Sequence, residues 1–562
     1  MSDNTKKQNF LQGTALLAMS TAIVKVIGAV YKIPLNAIIG EQGFGYFNTA
    51  YEIYAVLLMI STAGLPVAMS RMISAASAQG RYGQVRRIYT TARAIFLGLG
   101  ITGSLLMTVF CRQLAAFQNQ PDAWAAIGCL GPCVLLICVM STFRGYFQGQ
   151  SNMLPTSVSQ VIEAVVKLIV GMVAALALLK FTNQVSLAAG GAILGVTASC
   201  LVSAFYLYNC FRKAYRILPV DDEPADSFGA TAKALLAIAI PITIGSAGLQ
   251  FLTVMETKIY MSQIRVGLED TMSLSQLQAI LTAYRYSGDV TAVTREDAIQ
   301  FILDTRKGIY NMTQTIFNMP CAFITPITIS VIPAITAQLT REDLSGAKAT
   351  EESAIRVTGL ISAPCAVGLF VLAEPVTGLL GGYTGQKLEL SGTLMAILGI
   401  CILFNAMVLL TNAIMQSHGH VILPVVNMFV GGILKLVAVF ILTGNPNIGI
   451  IGTPIGSLLC YLSITVLNLI SMRRVLPQTP AVLRNVGKPV LAAAIMGIAV
   501  YATSLGLTAL LGDGASRIIT CGVPILVGVA VYAFTAIKLK AITKEDCLLL
   551  PKGAKIAKLL RL

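Results

Sequence analysis

The chain has 562 residues, of which 56% are hydrophobic and only 12% are charged. Soluble domains carry about 25% charged residues, so the polar residues needed to coat several soluble domains are missing. The net charge of +15 would suggest nucleic-acid binding in a soluble chain. Here the basic residues lie mainly between apolar stretches, where they set orientation in a membrane. We therefore expect a membrane protein that does not bind nucleic acid, and the mean hydropathy of +0.77 agrees.

Fourteen stretches come close to the roughly 20 apolar residues that a bilayer span needs. The first is too long for the apolar core of a cleaved signal, so we read it as a retained span. The sequence thus predicts an all-α, polytopic membrane protein with 14 transmembrane helices. The predicted spans cover 10–39, 46–70, 91–116, 124–147, 154–179, 186–211, 231–261, 308–336, 354–380, 391–415, 421–443, 448–472, 488–511 and 516–538.

The distribution of Lys and Arg predicts the orientation. With the N-terminus in the cytoplasm, most basic residues fall in cytoplasmic segments, including Arg144 and the basic tail. Lys307 falls in a long external loop at 262–307. This bias predicts a multi-pass protein of the cytoplasmic membrane with both termini inside. Ser273 and Thr294 are typical helix N-caps, so the loop is expected to form a short helical hairpin; a gate, a substrate contact and a merely decorative loop all remain open.

An internal repeat divides the spans. Residues 64–70 resemble 331–337, and residues 148–167 resemble 416–435 at nearly the same offset. Each repeat holds six spans, so the two lobes insert the same way up and are expected to enclose a cavity. The predicted domains are an N-terminal lobe at 1–230, a C-terminal lobe at 231–475, and spans 13 and 14 with the basic tail at 476–562.

Ionisable residues within spans are costly and mark functional sites. Lys25 and Lys32 share one face of span 1, and they repel each other unless Glu52 or a substrate phosphate lies near. Lys32 is also close enough to the span end to reach the headgroups. Glu163 and Lys167 form an i, i+4 pair that would neutralise itself. The candidate substrate-binding residues are Lys25, Lys32, Glu52, Glu163, Lys167, Glu256, Lys258 and Lys435.

Lys435 is the repeat counterpart of Lys167 but has Gly431 four residues earlier, so we expect it to be a cavity cation. Glu256 is a candidate for pairing with another helix or for accepting Na⁺ or a proton. Several prolines interrupt spans and would serve as hinges or simple kinks. The hinge candidates are Pro66, Pro155, Pro333 and Pro424.

Catalytic and metal-binding patterns are missing from the sequence. The 12 cysteines are scattered through apolar segments, and the two histidines stand in one short turn without a metal motif. No Walker sequence is present. We therefore expect a protein that is not an enzyme and has no metal or cofactor, and coupling to Na⁺, H⁺ or the membrane potential stays open.

An ordered set of motifs carries a family resemblance. These motifs are Ser61-Thr-Ala-Gly-Leu-Pro-Val-Ala-Met-Ser70, Arg144-Gly-Tyr-Phe-Gln-Gly149, Met153-Leu-Pro-Thr-Ser-Val-Ser-Gln-Val-Ile-Glu163, Ile332-Pro-Ala-Ile335 and Asn447-Ile-Gly-Ile-Ile-Gly-Thr453. Over essentially its whole length the chain resembles the polysaccharide exporters of the stage V sporulation protein B type. They belong to the multidrug/oligosaccharidyl-lipid/polysaccharide exporter superfamily, which includes the lipid II flippases.

The resemblance implies a two-lobe transporter that flips lipid-linked wall precursors by alternating access. It places Lys25, and nearby Lys32, where lipid II flippases carry arginines for the diphosphate. It also implies a lipid-tail groove at spans 13 and 14. The function expected is a flippase for undecaprenyl-linked precursors, either lipid II or a related glycan. Its partners would be a lipid-linked oligosaccharide and membrane lipids, with wall-synthesis enzymes left open.

Two alternatives stay open beside the flippase. One is a cation-coupled multidrug antiporter of the same superfamily, although the candidate residues lean cationic rather than acidic. The other is a non-transporting scaffold for wall or spore-cortex synthesis. A membrane glycan polymerase is disfavoured because acid and base groups are too few.

Overall fold

The computed structural model describes residues 10–150, 152–219, 225–286, 288–511 and 516–541, with some side chains of α1 (Phe10–Met59), α8 (Phe228–Thr271) and α10 (Arg295–Thr340) left out. All regular secondary structure in these ranges is helical, which confirms the all-α fold. Eleven helices of the described ranges are long and apolar enough to cross a membrane. The count of fourteen spans stays a prediction; the predicted spans at 10–39, 231–261 and 308–336 fall in α1, α8 and α10, whereas turns at Phe110 and Leu372 interrupt those at 91–116 and 354–380.

The remaining helices follow the predicted order. Those before α10 are α2 (Leu65–Ala78), α3 (Tyr82–Val109), α4 (Cys111–Phe117), α5 (Trp124–Gly149), α6 (Leu154–Thr182), α7 (Val185–Ile217) and α9 (Leu274–Ala283). Those after α10 are α11 (Leu344–Val371), α12 (Ala373–Gly381), α13 (Gln386–Ser417), α14 (Ile422–Thr443), α15 (Gly452–Val475), α16 (Val482–Leu511) and α17 (Arg517–Lys538).

Helix α1 is broken where the sequence predicts the end of the first span. Gly40 has a φ of 69°, a left-handed conformation that glycine adopts without a steric penalty. A π-helical segment, Ile60–Gly64, then joins α1 to α2. Pro66 directly follows this segment inside the continuous helix, and because proline has no backbone N–H it cannot donate a helical hydrogen bond there. The first two predicted spans are thus separated by a glycine kink, and the second continues through a widened helical turn.

The insert between spans 7 and 8 is helical, as predicted. Ser273 and Gln276 form a capping box at the start of α9, and the Thr294 hydroxyl accepts a hydrogen bond from the Asp297 N–H at the start of α10. Both predicted N-caps are confirmed. The insert is built differently from a separate hairpin, because α8 and α10 continue beyond the predicted spans. Their 44 and 46 residues correspond to more than 60 Å, roughly twice the hydrocarbon thickness of a bilayer.

The described residues form two compact units. The first unit runs up to Ser262 and also contains Leu303–Gly308; the second comprises Gln263–Ile302 and the chain from Ile309 onwards. In the first unit α5 packs against α3 and α7, and α6 packs along α7. In the second, α11 packs against α13 and α16, α14 against α15, and α16 against α17. The predicted division at 230 and 475 followed chain order, whereas these units exchange the short segment Leu303–Gly308.

Each unit repeats one close contact between helices. A Cβ added at Gly195 of α7 would lie 3.1 Å from the Lys167 carbonyl oxygen of α6. A Cβ added at Gly456 of α15 would lie 3.4 Å from the Lys435 carbonyl oxygen of α14. Small residues allow such close approach of helix backbones. The sequence repeat that pairs Lys167 with Lys435 therefore has a counterpart in the packing of each unit.

Candidate functional site

Two lysines in the first unit lie in each other's electric field. Lys32 of α1 is half-buried, and its Nζ donates a hydrogen bond to Asn48 Oδ1 at 3.3 Å. It lies within electrostatic range of Lys167 of α6 and of Glu52. Among the residues that the structure describes, neither lysine belongs to an ion pair within 4.0 Å. The sequence reasoning placed both in the substrate site, and the fold brings them together.

Lys167 lies next to a cluster of packed aromatic rings. Its Nζ lies 5.8 Å from the centroid of the Tyr31 ring, within the range of a cation–π interaction. The Tyr31 hydroxyl donates to the Ala192 carbonyl at 3.1 Å. The Tyr31 ring packs edge-on against Phe47 at 5.9 Å, and Phe47 packs on Tyr51 at 4.9 Å. These contacts hold the ring in one orientation beneath the ammonium group.

The carboxylate of Glu52 is engaged by a lysine of α10. Lys307 is fully buried, and its Nζ lies 3.5 Å from Glu52 Oε2. The same ammonium donates to Thr49 Oγ1 at 2.5 Å, and Thr49 in turn bonds to Gln120. Gln120 Nε2 donates to Asp304 Oδ1 at 2.9 Å. A continuous polar network therefore ties the Leu303–Gly308 segment of α10 to α1 within the first unit and keeps Glu52 partly neutralised.

The carboxylate of Glu163 is engaged in the same way by Arg144. Arg144 Nη2 lies 3.0 Å from Glu163 Oε2, and Arg144 Nε donates to Ser159 Oγ at 3.2 Å. The arginine side chain is only 15% exposed. Within the first unit, Arg144 and Lys307 are thus each paired with a carboxylate. Lys32 lies within electrostatic range of Glu52, and Lys167 within that of Glu163, but neither lysine forms an ion pair within 4.0 Å among the described residues.

Glu256 and Lys258 lie elsewhere on α8. Glu256 is buried, with 4% exposure. Lys258 Nζ donates to Asn119 Oδ1 at 3.1 Å and lies 5.2 Å from the centroid of the Phe117 ring.

Lys435 belongs to the second unit. It is half-buried on α14 and lies within electrostatic range of Tyr461 and Cys401. Its role as a cavity cation stays a prediction. The side chain of Lys25 lies outside the described residues, although its backbone is part of α1.

The hinge candidates are buried at helix starts. Pro155 and Pro424 stand in the first turns of α6 and α14, where proline removes no helical hydrogen bond. Pro66 directly follows the π-helical segment that precedes α2. The side chain of Pro333 lies outside the described residues, within α10. The hinge role of these four prolines stays a prediction.

Sequence reasoning missed Arg144 and Lys307 as site residues. The orientation count places Arg144 at the cytoplasmic side and Lys307 in the external loop, whereas the structure places them in α5 and α10. One signal was available for Lys307: the Thr294 cap is followed by an unbroken helical pattern, and Asp304 and Lys307 are three residues apart on one face. In the described part of the chain, no group of three His, Cys, Asp or Glu side chains is arranged to hold a metal.

Two family models match the chain. The model described as "Polysaccharide biosynthesis protein" matches residues 10–338. The model described as "Lipid II flippase MurJ" matches residues 301–513. Together they cover both compact units.

Named relatives match most of the chain. The stage V sporulation protein B of Bacillus subtilis (strain 168) is 23% identical over 548 residues, which are 97% of this chain and 98% of the relative. The lipid II flippase MurJ of the same organism is 24% identical over 448 residues, or 76% of each chain.

Solved structures show the same fold at low identity. An inward closed conformation of the lipid II flippase MurJ superposes with a TM-score of 0.66 at 12% identity, covering 93% of this chain and 98% of that one. An inward-facing multidrug resistance MATE transporter of the MOP superfamily gives 0.60 at 13% identity, with 81% and 97% covered. The family resemblance read from the sequence motifs is confirmed.

Proposed function

Because the chain belongs to the polysaccharide biosynthesis protein family and has the fold of membrane exporters, we propose that it flips an undecaprenyl-linked cell-wall precursor across the cytoplasmic membrane. The precursor is lipid II or a related lipid-linked glycan, and translocation proceeds by alternating access. Relatives named as a sporulation protein and as a lipid II flippase support this class of substrate.

The pair Lys32 and Lys167 carries the proposal. Two ammonium groups within electrostatic range of each other, in half-buried positions, raise each other's free energy. An anion between them removes that cost, and lysine binds phosphate as a compact point charge. A diphosphate-linked head group supplies such an anion, while its polyprenyl tail stays in the lipid.

The neighbouring ion pairs favour an anionic ligand at the pair Lys32 and Lys167. Glu163 is held by Arg144 at 3.0 Å, and Glu52 is held by Lys307 at 3.5 Å. Each carboxylate therefore has a cation other than Lys32 or Lys167. This arrangement supports binding of an anionic head group more than binding of a cationic drug.

The breaks in helix α1 support a hinge next to the pair Lys32 and Lys167. The kink at Gly40 and the π-helical segment Ile60–Gly64 flank the stretch that carries Asn48 and Glu52. Widened turns of this kind often occur at functional sites. Pro66, directly after the π-helical segment, is accordingly our first hinge candidate. The membrane potential is a candidate driving force, since moving one charge across 100 mV is worth about 2.3 kcal/mol.

The proposal is tested with the full chain reconstituted in vesicles that contain lipid II with a labelled head group. The measurement is the fraction of head groups that an external, membrane-impermeant reagent reaches, compared with protein-free vesicles. We expect protein-dependent translocation. Parallel vesicles loaded with a cationic dye, under a Na⁺ or pH gradient, test the antiporter: dye efflux without lipid II translocation would replace the flippase by that function. Neither activity would favour the scaffold.

A further inference from the structure

A cavity in the second unit lies between the end of α15 and the start of α16. It has a volume of about 410 Å³. The helices on both sides are candidate membrane spans, so their adjoining ends mark a membrane–water boundary. The cavity is lined by Leu469, Met472, Arg473, Thr479, Pro480, Ala481, Val482, Leu483 and Arg484. Lys32, Lys167 and Glu52 do not line this cavity.

Two arginines face this one cavity. Arg473 lies in the last turn of α15 and Arg484 in the first turn of α16, and both are exposed. Within the described part of the chain, neither makes an ion pair or a hydrogen bond. The nearby carboxylate of Glu352 accepts a hydrogen bond from the Ala481 N–H at 3.1 Å. The cavity therefore presents two guanidinium groups whose charges are not used by the fold.

Apart from the two arginines and Thr479, the side chains that line the cavity are apolar. Met472 and Leu476 belong to a buried core cluster, against which Val482 packs. Pro480 is buried, and its ring restricts the six-residue connection between the two helices. Leu483 is 80% exposed beside Arg484. A charged rim over an apolar wall suits a ligand with a negative head and a hydrocarbon chain.

We propose that this cavity binds the phosphate head group of an anionic phospholipid. Arginine forms paired hydrogen bonds to phosphate through its planar fork. Basic pockets between membrane helices bind anionic head groups by this chemistry. In this arrangement Arg473 and Arg484 hold the phosphate, and Leu469 and Leu483 lie along the first carbons of an acyl chain.

The chain's own C-terminal segment is a poor occupant because it carries the wrong charge. Five basic residues face two acidic ones after residue 541: Lys544, Lys552, Lys555, Lys558 and Arg561 against Glu545 and Asp546. A basic segment would add repulsion to the two arginines instead of neutralising them. Charge complementarity therefore selects an anionic lipid.

The test measures lipid binding and does not depend on transport. The purified full-length protein is incubated with mixed micelles of phosphatidylglycerol and phosphatidylcholine, and bound lipids are counted by native mass spectrometry. We expect the protein to retain phosphatidylglycerol in preference to phosphatidylcholine. The double variant Arg473→Gln/Arg484→Gln should bind phosphatidylglycerol at least about tenfold more weakly, and each single variant several-fold more weakly.

Arg474→Gln is the matched control, because Arg474 is the next residue of α15 and does not line the cavity. It should bind phosphatidylglycerol like the unaltered protein. Equal binding by the double variant, or an equal loss in Arg474→Gln, would overturn the proposal. Full displacement of phosphatidylglycerol by equimolar inorganic phosphate would also overturn it, since the site would then serve free phosphate. The single variants keep the test decisive if the double variant fails to fold.

Discussion

Lys307 Nζ lies 3.5 Å from Glu52 Oε2, although 255 residues separate the two in the chain. The lysine is completely buried and the glutamate is 16% exposed. The pair joins the Leu303–Gly308 segment of α10 to the second half of α1 inside the first unit. Among the described residues, neither Lys32 nor Lys167 forms an ion pair within 4.0 Å.

Removing Lys307 should destabilise the first unit. In Lys307→Met, Glu52 and Thr49 lose their partner in a buried environment, which ordinarily costs about 3 kcal/mol or more. The measurement is the free energy of unfolding in detergent. The second change Glu52→Gln should restore part of the loss, because it removes the unpaired charge. An unchanged stability of Lys307→Met would show that the pair does not hold α10 in place.

A small residue at Gly195 should be required for the packing of α6 on α7. In Gly195→Ala the new Cβ would collide with the backbone of Gly171 and approach the Lys167 carbonyl. Such overpacking costs about 1–3 kcal/mol. The matched control is Gly98→Ala on α3, where no atom lies within 4 Å of the added Cβ. The control should be neutral or slightly stabilising, because alanine is the better helix former. Equal stability of the two variants would contradict the observed contact.

The first turn of α11 should lose protection in acid. Asp343 accepts hydrogen bonds from the Gly346 N–H and the Ser345 hydroxyl, and these bonds lower the pKa of its carboxyl below the ordinary 3.8. A lowered pKa means that the cap is complete above pH 3.8 and is lost as the pH falls through the value in the folded protein. The protection factor of the Gly346 amide, which is its hydrogen-exchange rate relative to the intrinsic rate at each pH, should therefore fall in that range. Asp343→Asn should remove the pH dependence while keeping most of the cap; an unchanged pH profile would exclude this role of Asp343.

The local features of the fold could be predicted from the sequence. Ser273 and Thr294 are N-caps as expected, because capping depends on neighbouring residues alone. The repeat pairing Lys167 with Lys435 also has a packing counterpart, because glycines allow the same close contact in both units. Apolar length located the long helices, but it did not show the turns at Phe110 and Leu372 that interrupt two of the predicted spans.

The partners of the charged residues could not be predicted. The i, i+4 spacing predicts an ion pair between Lys167 and Glu163. In the structure, Arg144 Nη2 of α5 lies 3.0 Å from Glu163 Oε2. Choosing between two such cations depends on how helices pack, which spacing does not encode. Lys307 was assigned to an external loop because the predicted span began at 308, whereas α10 begins at Arg295. Its pairing with Glu52 required knowledge of the tertiary structure.

The central claim is that Lys32 and Lys167 together seat a phosphate, and lysine replacement tests it most directly. The rate of lipid II translocation is measured in vesicles that contain Lys32→Ala, Lys167→Ala or the double variant. Lys180→Ala is the control, because Lys180 is an exposed lysine in the last turn of the same helix as Lys167. Each site variant should be slower by about tenfold or more, the loss expected for one charge-assisted contact, and the control should match the unaltered protein. Full translocation by a folded Lys32→Ala/Lys167→Ala variant would contradict the account.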